Sequence, residues 1–229
     1  MTMQGDELIL GIDGGGTKTV AWLARRSDAS RVIGRGASGG ANPQAVGFDA
    51  ALANLDQAVD AACADAGAPS EPVAAAVLAL AGSDREDVRG KMTEWADNRR
   101  LAHRFRVVHD ADPVLAAGTP DGWGVAILAG TGSFAFGRTD DGRTARAGGW
   151  GYLFGDEGSG YAVALAGLRA AARAADGRGP VTQLTDGLLE RLGLKRPEQL
   201  VSAIYQSTDP RATIASLADV VTRAADEAD

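Results

Sequence analysis

The chain has 229 residues, 45% of them hydrophobic and 23% charged, with a net charge of −7 and a pI near 4.9. That length holds one large domain or two small ones around a proper core, and an acidic balance without long runs of like charge argues against nucleic-acid and anionic-membrane partners and for small soluble metabolites. A single cysteine, Cys63, leaves no disulfide framework, zinc cluster or intrachain iron–sulfur pair and points to the cytoplasm; no apolar run approaches the ~20 residues of a membrane span, and MTMQGDEL carries acids where a signal peptide carries bases.

The first predicted strand, Leu8–Leu10, runs into Gly11–Thr19, GIDGGGTKT. Consecutive glycines allow positive φ and bring backbone N–H groups against a phosphate. Thr17 and Thr19 add hydroxyls, and Asp13 offers a carboxylate to Mg²⁺ through water. A Walker loop needs Lys directly after its last Gly, whereas Thr17 precedes Lys18. A dinucleotide fingerprint needs Gly or Ala at position 19, which is Thr. Both also need a helix next, but Thr19–Ala24 (TVAWLA) and Val32–Ala37 have strand composition, so the glycines sit in a hairpin.

The loop GGANPQAVG (39–47) leads into a helix predicted over Ala45–Ala66, with Leu52, Leu55, Val59 and Ala62 on one face and Cys63 buried beside them. Val73–Leu80 reads as a buried strand, and Ser83 or Asp84 as the cap of a helix reaching Asn98. Phe105–Val108 is a further strand that delivers His109 and Asp110 at its carboxyl end, where ligands bind in such sheets. Asp112, two residues on, precedes Pro113 and suits a helix cap. A short helix, 111–118, and the turn 119–122 place a lobe boundary near 112–120, giving lobes 1–115 and 116–229.

The second lobe repeats the opening: strand Val125–Ala129, turn Gly130-Thr131-Gly132-Ser133, strand Phe134–Arg138, and a third strand over Thr144–Ala147. GGWGYLFGDEGSGY (148–161) then leads into a helix to about Ala175, with Asp156 expected at its N-terminus. The remainder reads as helices broken near 177–180, 193–197 and 207–210, with no further strand.

A strand, Gly-rich turn and strand that grip phosphate are similar to the actin, Hsp70 and hexokinase superfold. The set GIDGGGTKT, VVHDA, LAGTGS and GGWGYLFGDEGS, with GGANPQAVG, resembles the N-acetylglucosamine kinase branch of the BadF/BadG/BcrA/BcrD ATPase family over residues 7 to about 175. The resemblance implies an α/β, two-lobed ribonuclease H-like fold that binds ATP and Mg²⁺ and phosphorylates the 6-hydroxyl of an amino sugar, N-acetylglucosamine before glucosamine or N-acetylmuramate. It makes Asp110 the base, gives the phosphates to Gly14, Gly15, Gly16, Thr17 and Lys18, with Thr131 and Gly132 closing from the other lobe, and gives Mg²⁺ to Asp13 through water. It gives the sugar to Asn42, Asp110, Ser133, Gly149, Trp150 and Asp156. A homodimer stands as a possible assembly.

The chain departs from the family by having no Gly-Gly pair after Gly149, so the adenosine-binding segment is missing and the second lobe is incomplete. The expected consequences are an exposed sheet edge and apolar face in that lobe, lowered stability or a covering partner, and weak ATP affinity. Two other functions compete. An activator ATPase of the same family would need a pair of cysteines per subunit, which lone Cys63 does not supply, and a degenerate sugar-binding relative would not need the Asp110 that this chain retains.

Overall fold

The computed structural model describes residues 6–69 and 71–227; residues 1–5, part of the N-terminal stretch read above for a signal peptide, lie outside them. The chain divides into two compact units, Met1–Gly122 and Trp123–Asp229.

The first unit is built on a five-stranded sheet. Its strands are β1 (Leu8–Gly14), β2 (Lys18–Arg25), β3 (Asp28–Gly39), β4 (Ala75–Leu80) and β5 (Phe105–His109), in the order β3-β2-β1-β4-β5. The first three form an antiparallel meander, while β4 and β5 run parallel to β1. Alternation sets the face each residue takes: Leu10 and Ile12 on β1 and Ala76, Leu78 and Leu80 on β4 enter one core. That core is closed by α2 (Phe48–Ala66), through Leu55, Ala58, Val59 and Ala62, and by α3 (Glu86–Asn98), through Val88, Met92 and Trp95.

The helix predicted over 45–66 is in fact two. Gly47 takes φ 83°, closing the four-residue α1 (Pro43–Val46) and opening α2. Neither Ser83 nor Asp84 caps α3: its N-cap is Arg85, and the Ser83 hydroxyl instead donates to the Val108 carbonyl at 2.8 Å, tying the ends of β4 and β5 together. Close approach explains two glycines on β3. A Cβ at Gly36 would lie 1.9 Å from the Ala58 carbonyl oxygen and one at Gly34 2.3 Å from that of Ala62, so α2 lies directly on the strand.

The second unit opens with an antiparallel sheet in the order β6-β7-β8: β6 (Gly124–Ala129), β7 (Ser133–Arg138) and β8 (Thr144–Gly148). The pairing repeats that of β1, β2 and β3. Among the described residues β6 has no partner on the side where β4 pairs with β1, and Val125 and Ile127 on it are 73% and 76% exposed. Five helices follow among the described residues: α5 (Gly160–Ala175), α6 (Leu184–Leu192), α7 (Gln199–Tyr205), α8 (Pro210–Ala215) and α9 (Ala218–Asp226). They share a separate core of Ala164, Ala171, Leu188, Leu200, Ile214 and Leu217. No described helix is long and apolar enough to cross a membrane.

Candidate active site

Strand register fixes where the predicted site residues of the first unit lie. Gly14 pairs with Thr19 on β2 and with Leu80 on β4, and Leu80 pairs with His109 on β5. One row across the sheet therefore marks the carboxyl ends of β1, β4 and β5, with adjacent strands about 4.8 Å apart. Beyond that row lie the hairpin Gly15–Thr17, the segment Gly40–Asn42, and Asp110 with Ala111. Asp13, Gly14, Gly15, Gly16, Thr17, Lys18, Asn42 and Asp110 thus gather at one end of one sheet.

The hairpin turn closes with the Gly15 N–H donating to the Lys18 carbonyl at 2.9 Å. None of Gly14, Gly15 and Gly16 takes a positive φ, contrary to the expectation from their run. Contact is what requires glycine here. A Cβ at Gly14 would sit 2.6 Å from Leu80 Cδ2 and 3.0 Å from the Ala41 methyl, whereas at Gly16 it would meet nothing within 4 Å, leaving that backbone open to a ligand. The Gly15 carbonyl accepts from the N–H groups of Ala41 (2.9 Å) and Asn42 (3.1 Å), and a Cβ at Gly40 would lie 2.3 Å from the Gly16 carbonyl oxygen. The segment Gly40–Asn42 and the hairpin Gly15–Thr17 are consequently packed as one piece. Thr19, read as a possible phosphate donor, is fully buried and its hydroxyl donates to the Gly39 carbonyl at 2.8 Å.

Asn42 caps α1, its Oδ1 accepting from the Gln44 N–H at 3.0 Å. Asp110 has a side chain 18% exposed, and its Oδ1 lies 3.0 Å from His109 Nδ1. The same Nδ1 lies 3.1 Å from the Ala111 nitrogen, whose N–H donates to it. The carboxylate asks Nδ1 for a proton and the amide asks it for a lone pair, so the imidazole tautomer sets how Asp110 is held. Asp112 is the first residue of α4 (Asp112–Gly118), not its N-cap, and its Oδ2 accepts from the His109 N–H at 3.0 Å. That bond gives Asp112 a structural task at the helix start.

Asp13 is exposed at the end of β1. Among the described residues no three His, Cys, Asp or Glu side chains converge as a metal site. A lone hard carboxylate fits Mg²⁺, which keeps several waters and takes its other oxygens from phosphates.

The second unit places its predicted residues around the β6–β7 turn. The Gly130 N–H donates to the Gly132 carbonyl at 2.8 Å, and the Gly130 carbonyl accepts from the Gly160 N–H at 2.8 Å, so the Gly130–Ser133 turn docks on the start of α5. The Ser133 hydroxyl donates to the Glu157 carbonyl at 2.7 Å and its carbonyl accepts from the Gly149 N–H at 3.0 Å. Gly148, Gly149 and Gly151 all take positive φ, between 70° and 83°, which explains the glycine spacing of the 148–158 loop. Trp150 on that loop is 77% exposed.

Asp156 does not cap α5. The cap is Ser159, whose Oγ accepts from the Ala162 N–H at 3.1 Å, and Asp156 lies upstream with φ 62° and 3% exposure. Its carboxylate faces the turn, 2.8 Å from where a Cβ on Gly132 would lie. Arg211 on α8 reaches the same carboxylate, Nη2 to Oδ2 at 3.4 Å. Nothing local in the sequence marks Arg211, since its partner is 55 residues away.

Known proteins share the sequence and fold of this chain. The chain is 33% identical over 216 residues to an N-acetylmuramic acid/N-acetylglucosamine kinase of Clostridium acetobutylicum, spanning 94% of this chain and 70% of that one. It is 35% identical over 214 residues to an N-acetyl-D-glucosamine kinase of Dictyostelium discoideum, spanning 90% of this chain and 66% of that protein. Its fold matches the crystal structure of a candidate N-acetylglucosamine kinase from Chromobacterium violaceum with a TM-score of 0.76 at 28% identity, covering 96% of this chain and 74% of the other. With its Gly-rich hairpins at the ends of β1 and β6, and with residues 10–229 matching the family model, the chain belongs to the BadF/BadG/BcrA/BcrD ATPase family.

Proposed function

We propose that the protein is an ATP-dependent kinase that phosphorylates the 6-hydroxyl of an amino sugar, N-acetylglucosamine first among acceptors. The observation that supports the reading is the shared carboxyl-end row, with the hairpin Gly15–Thr17, Asn42 and Asp110 at one end of one sheet. The names of the relatives support the sugar class.

In this reading Gly14, Gly15, Gly16 and Thr17 hold the β- and γ-phosphates by backbone N–H and hydroxyl donors, with Lys18 beside them. Thr131 and Gly132 serve phosphate from the second unit. Asn42, Ser133, Gly149, Trp150 and Asp156 bind the sugar ring and its acetamido group. Mg²⁺ at Asp13 supplies charge neutralisation on the phosphate oxygens when bound. Asp110 accepts the proton of the acceptor hydroxyl as that oxygen bonds to the γ-phosphorus. The bond from phosphorus to the β–γ bridging oxygen breaks, and its electron pair leaves with ADP. Phosphoryl transfer asks little covalent chemistry of the protein, so positioning and one base suffice.

ADP release is to be followed with ATP and Mg²⁺ against N-acetylglucosamine, glucosamine and N-acetylmuramate, with NMR locating the phosphate on the product. Sugar-dependent turnover that Asp110→Asn lowers by about 100- to 10,000-fold, while Asp112→Asn lowers it far less, is the expected result. ATP hydrolysis without sugar dependence defeats the kinase reading in favour of an activator ATPase, and a phosphate on another carbon defeats the 6-hydroxyl assignment.

A further inference from the structure

We propose that Arg211 is a positioning residue, aiming the Asp156 carboxylate at the acceptor sugar; the inference rests on the kinase reading above. Asp156 is held more tightly than a loop residue needs to be. It is 3% exposed, takes a left-handed backbone at φ 62° without being glycine, and fills the space in front of Gly132, where a Cβ would come within 2.8 Å of Oδ2. A non-glycine left-handed residue persists only where its surroundings over-determine it, and such residues cluster at ligand sites.

The over-determination comes from α8. Arg211 Nη2 lies 3.4 Å from Asp156 Oδ2 and gives this buried carboxylate its counter-charge. Arg211 is itself packed: its guanidinium lies over the Tyr152 ring at 5.2 Å, and Tyr152 meets Tyr161 of α5 edge-on at 5.1 Å. The cluster joins the 148–158 loop, α5 and α8. Two details show that the pair has room to tighten. A separation of 3.4 Å exceeds the 2.7–2.9 Å of a close charge-assisted bond, and Arg211 Nε is buried with no hydrogen-bond partner among the described residues. When an acceptor hydroxyl donates to Asp156, the guanidinium can close on Oδ2 and keep the carboxylate oriented. Arg211 therefore acts on acceptor affinity through Asp156, without touching the reacting atoms.

The test is steady-state kinetics of the full chain with ATP and N-acetylglucosamine as the two varied substrates, with thermal unfolding to verify that each variant is folded. Arg211→Met is expected to raise the KM for the sugar about tenfold or more, with kcat and the KM for ATP within about twofold. Arg211→Lys should recover part of the loss, and Arg211→Met should add little in an Asp156→Asn background. An unchanged sugar KM, an equal rise in the ATP KM, or an undiminished effect in the Asp156→Asn background overturns the inference and leaves the kinase reading standing. Should Arg211→Met not fold, Arg211→Lys decides, since the loss of the planar fork must raise the sugar KM severalfold and no rise overturns the inference. A wild-type chain with no sugar-dependent turnover overturns both.

Discussion

Cys63 and Arg99 illustrate how single side chains take their properties from distant neighbours. Burial pushes the Cys63 thiol up from an ordinary 9.0, while the Arg99 charge pulls it down and that of Asp60 pushes it up again. Burial alone would lower the Arg99 guanidinium, but the hydrogen bonds and charges of Asp60 and Asp56 outweigh it and raise the group. Trp95 Nε1 also donates to Asp56 at 3.2 Å, so α2 and α3 are pinned at this corner. A raised thiol means that the folded chain keeps its proton where the unfolded chain loses it. The stability involved is fully present below pH 9.0 and is lost as pH rises through the folded-state value. Denaturant midpoints measured between pH 8 and 11 should fall more steeply for the wild type than for Cys63→Ala, and native Cys63 should resist thiol reagents that modify the unfolded chain at once. Parallel midpoint curves for the two proteins would show that the thiol carries no such linkage.

Among the elements, the α2–β3 contact is the most exacting. At Gly36 an added Cβ would meet the Ala58 carbonyl oxygen at 1.9 Å, and backbone cannot turn aside as a flexible side chain can. Gly36→Ala is expected to cost about 3 kcal/mol by overpacking, measured as a lower urea midpoint. Gly11→Ala on β1, where a Cβ meets nothing within 4 Å, is the matched control. Under the proposed function, Gly40→Ala acts on activity instead, because its Cβ would press on the Gly16 carbonyl and push the Gly15–Thr17 hairpin off the segment Gly40–Asn42. It should lower kcat/KM by about 10- to 100-fold with a smaller change in melting temperature. A variant with normal kinetics would mean that the hairpin tolerates the displacement.

At the scale of the molecule, the two cores share no residue: one holds β1, β4, α2 and α3 and the other α5 to α9. Calorimetry should therefore resolve two transitions, with ATP and Mg²⁺ raising the first unit's transition through the hairpin it contains. One cooperative transition would show that the units fold as one. Of the second unit's apolar residues, Val125, Ile127, Leu153 and Phe154 are each at least 72% exposed. Val125 and Ile127 lie on β6, which has no partner on its outer side among the described residues, whereas Leu153 and Phe154 lie on the 148–158 loop.

Sequence alone determined the elements whose signals are local. Strand, glycine turn and strand at 8–25 and again at 124–138, the strand that delivers Asp110, and the helical tail all follow from periodicity and turn chemistry within a dozen residues. Motif order over those same elements was also enough to identify the family. Tertiary structure decided what depends on pairs far apart in the chain: that Thr19 serves β3, that Gly40 packs on Gly16, that Asp156 faces Gly132 rather than the end of α5, and that Arg211 pairs with its carboxylate. The physical reason is the same throughout. A hydrogen bond or a close contact between residues 20 to 55 positions apart leaves no pattern in either segment, because each residue's partner is chosen by packing rather than by its neighbours in sequence.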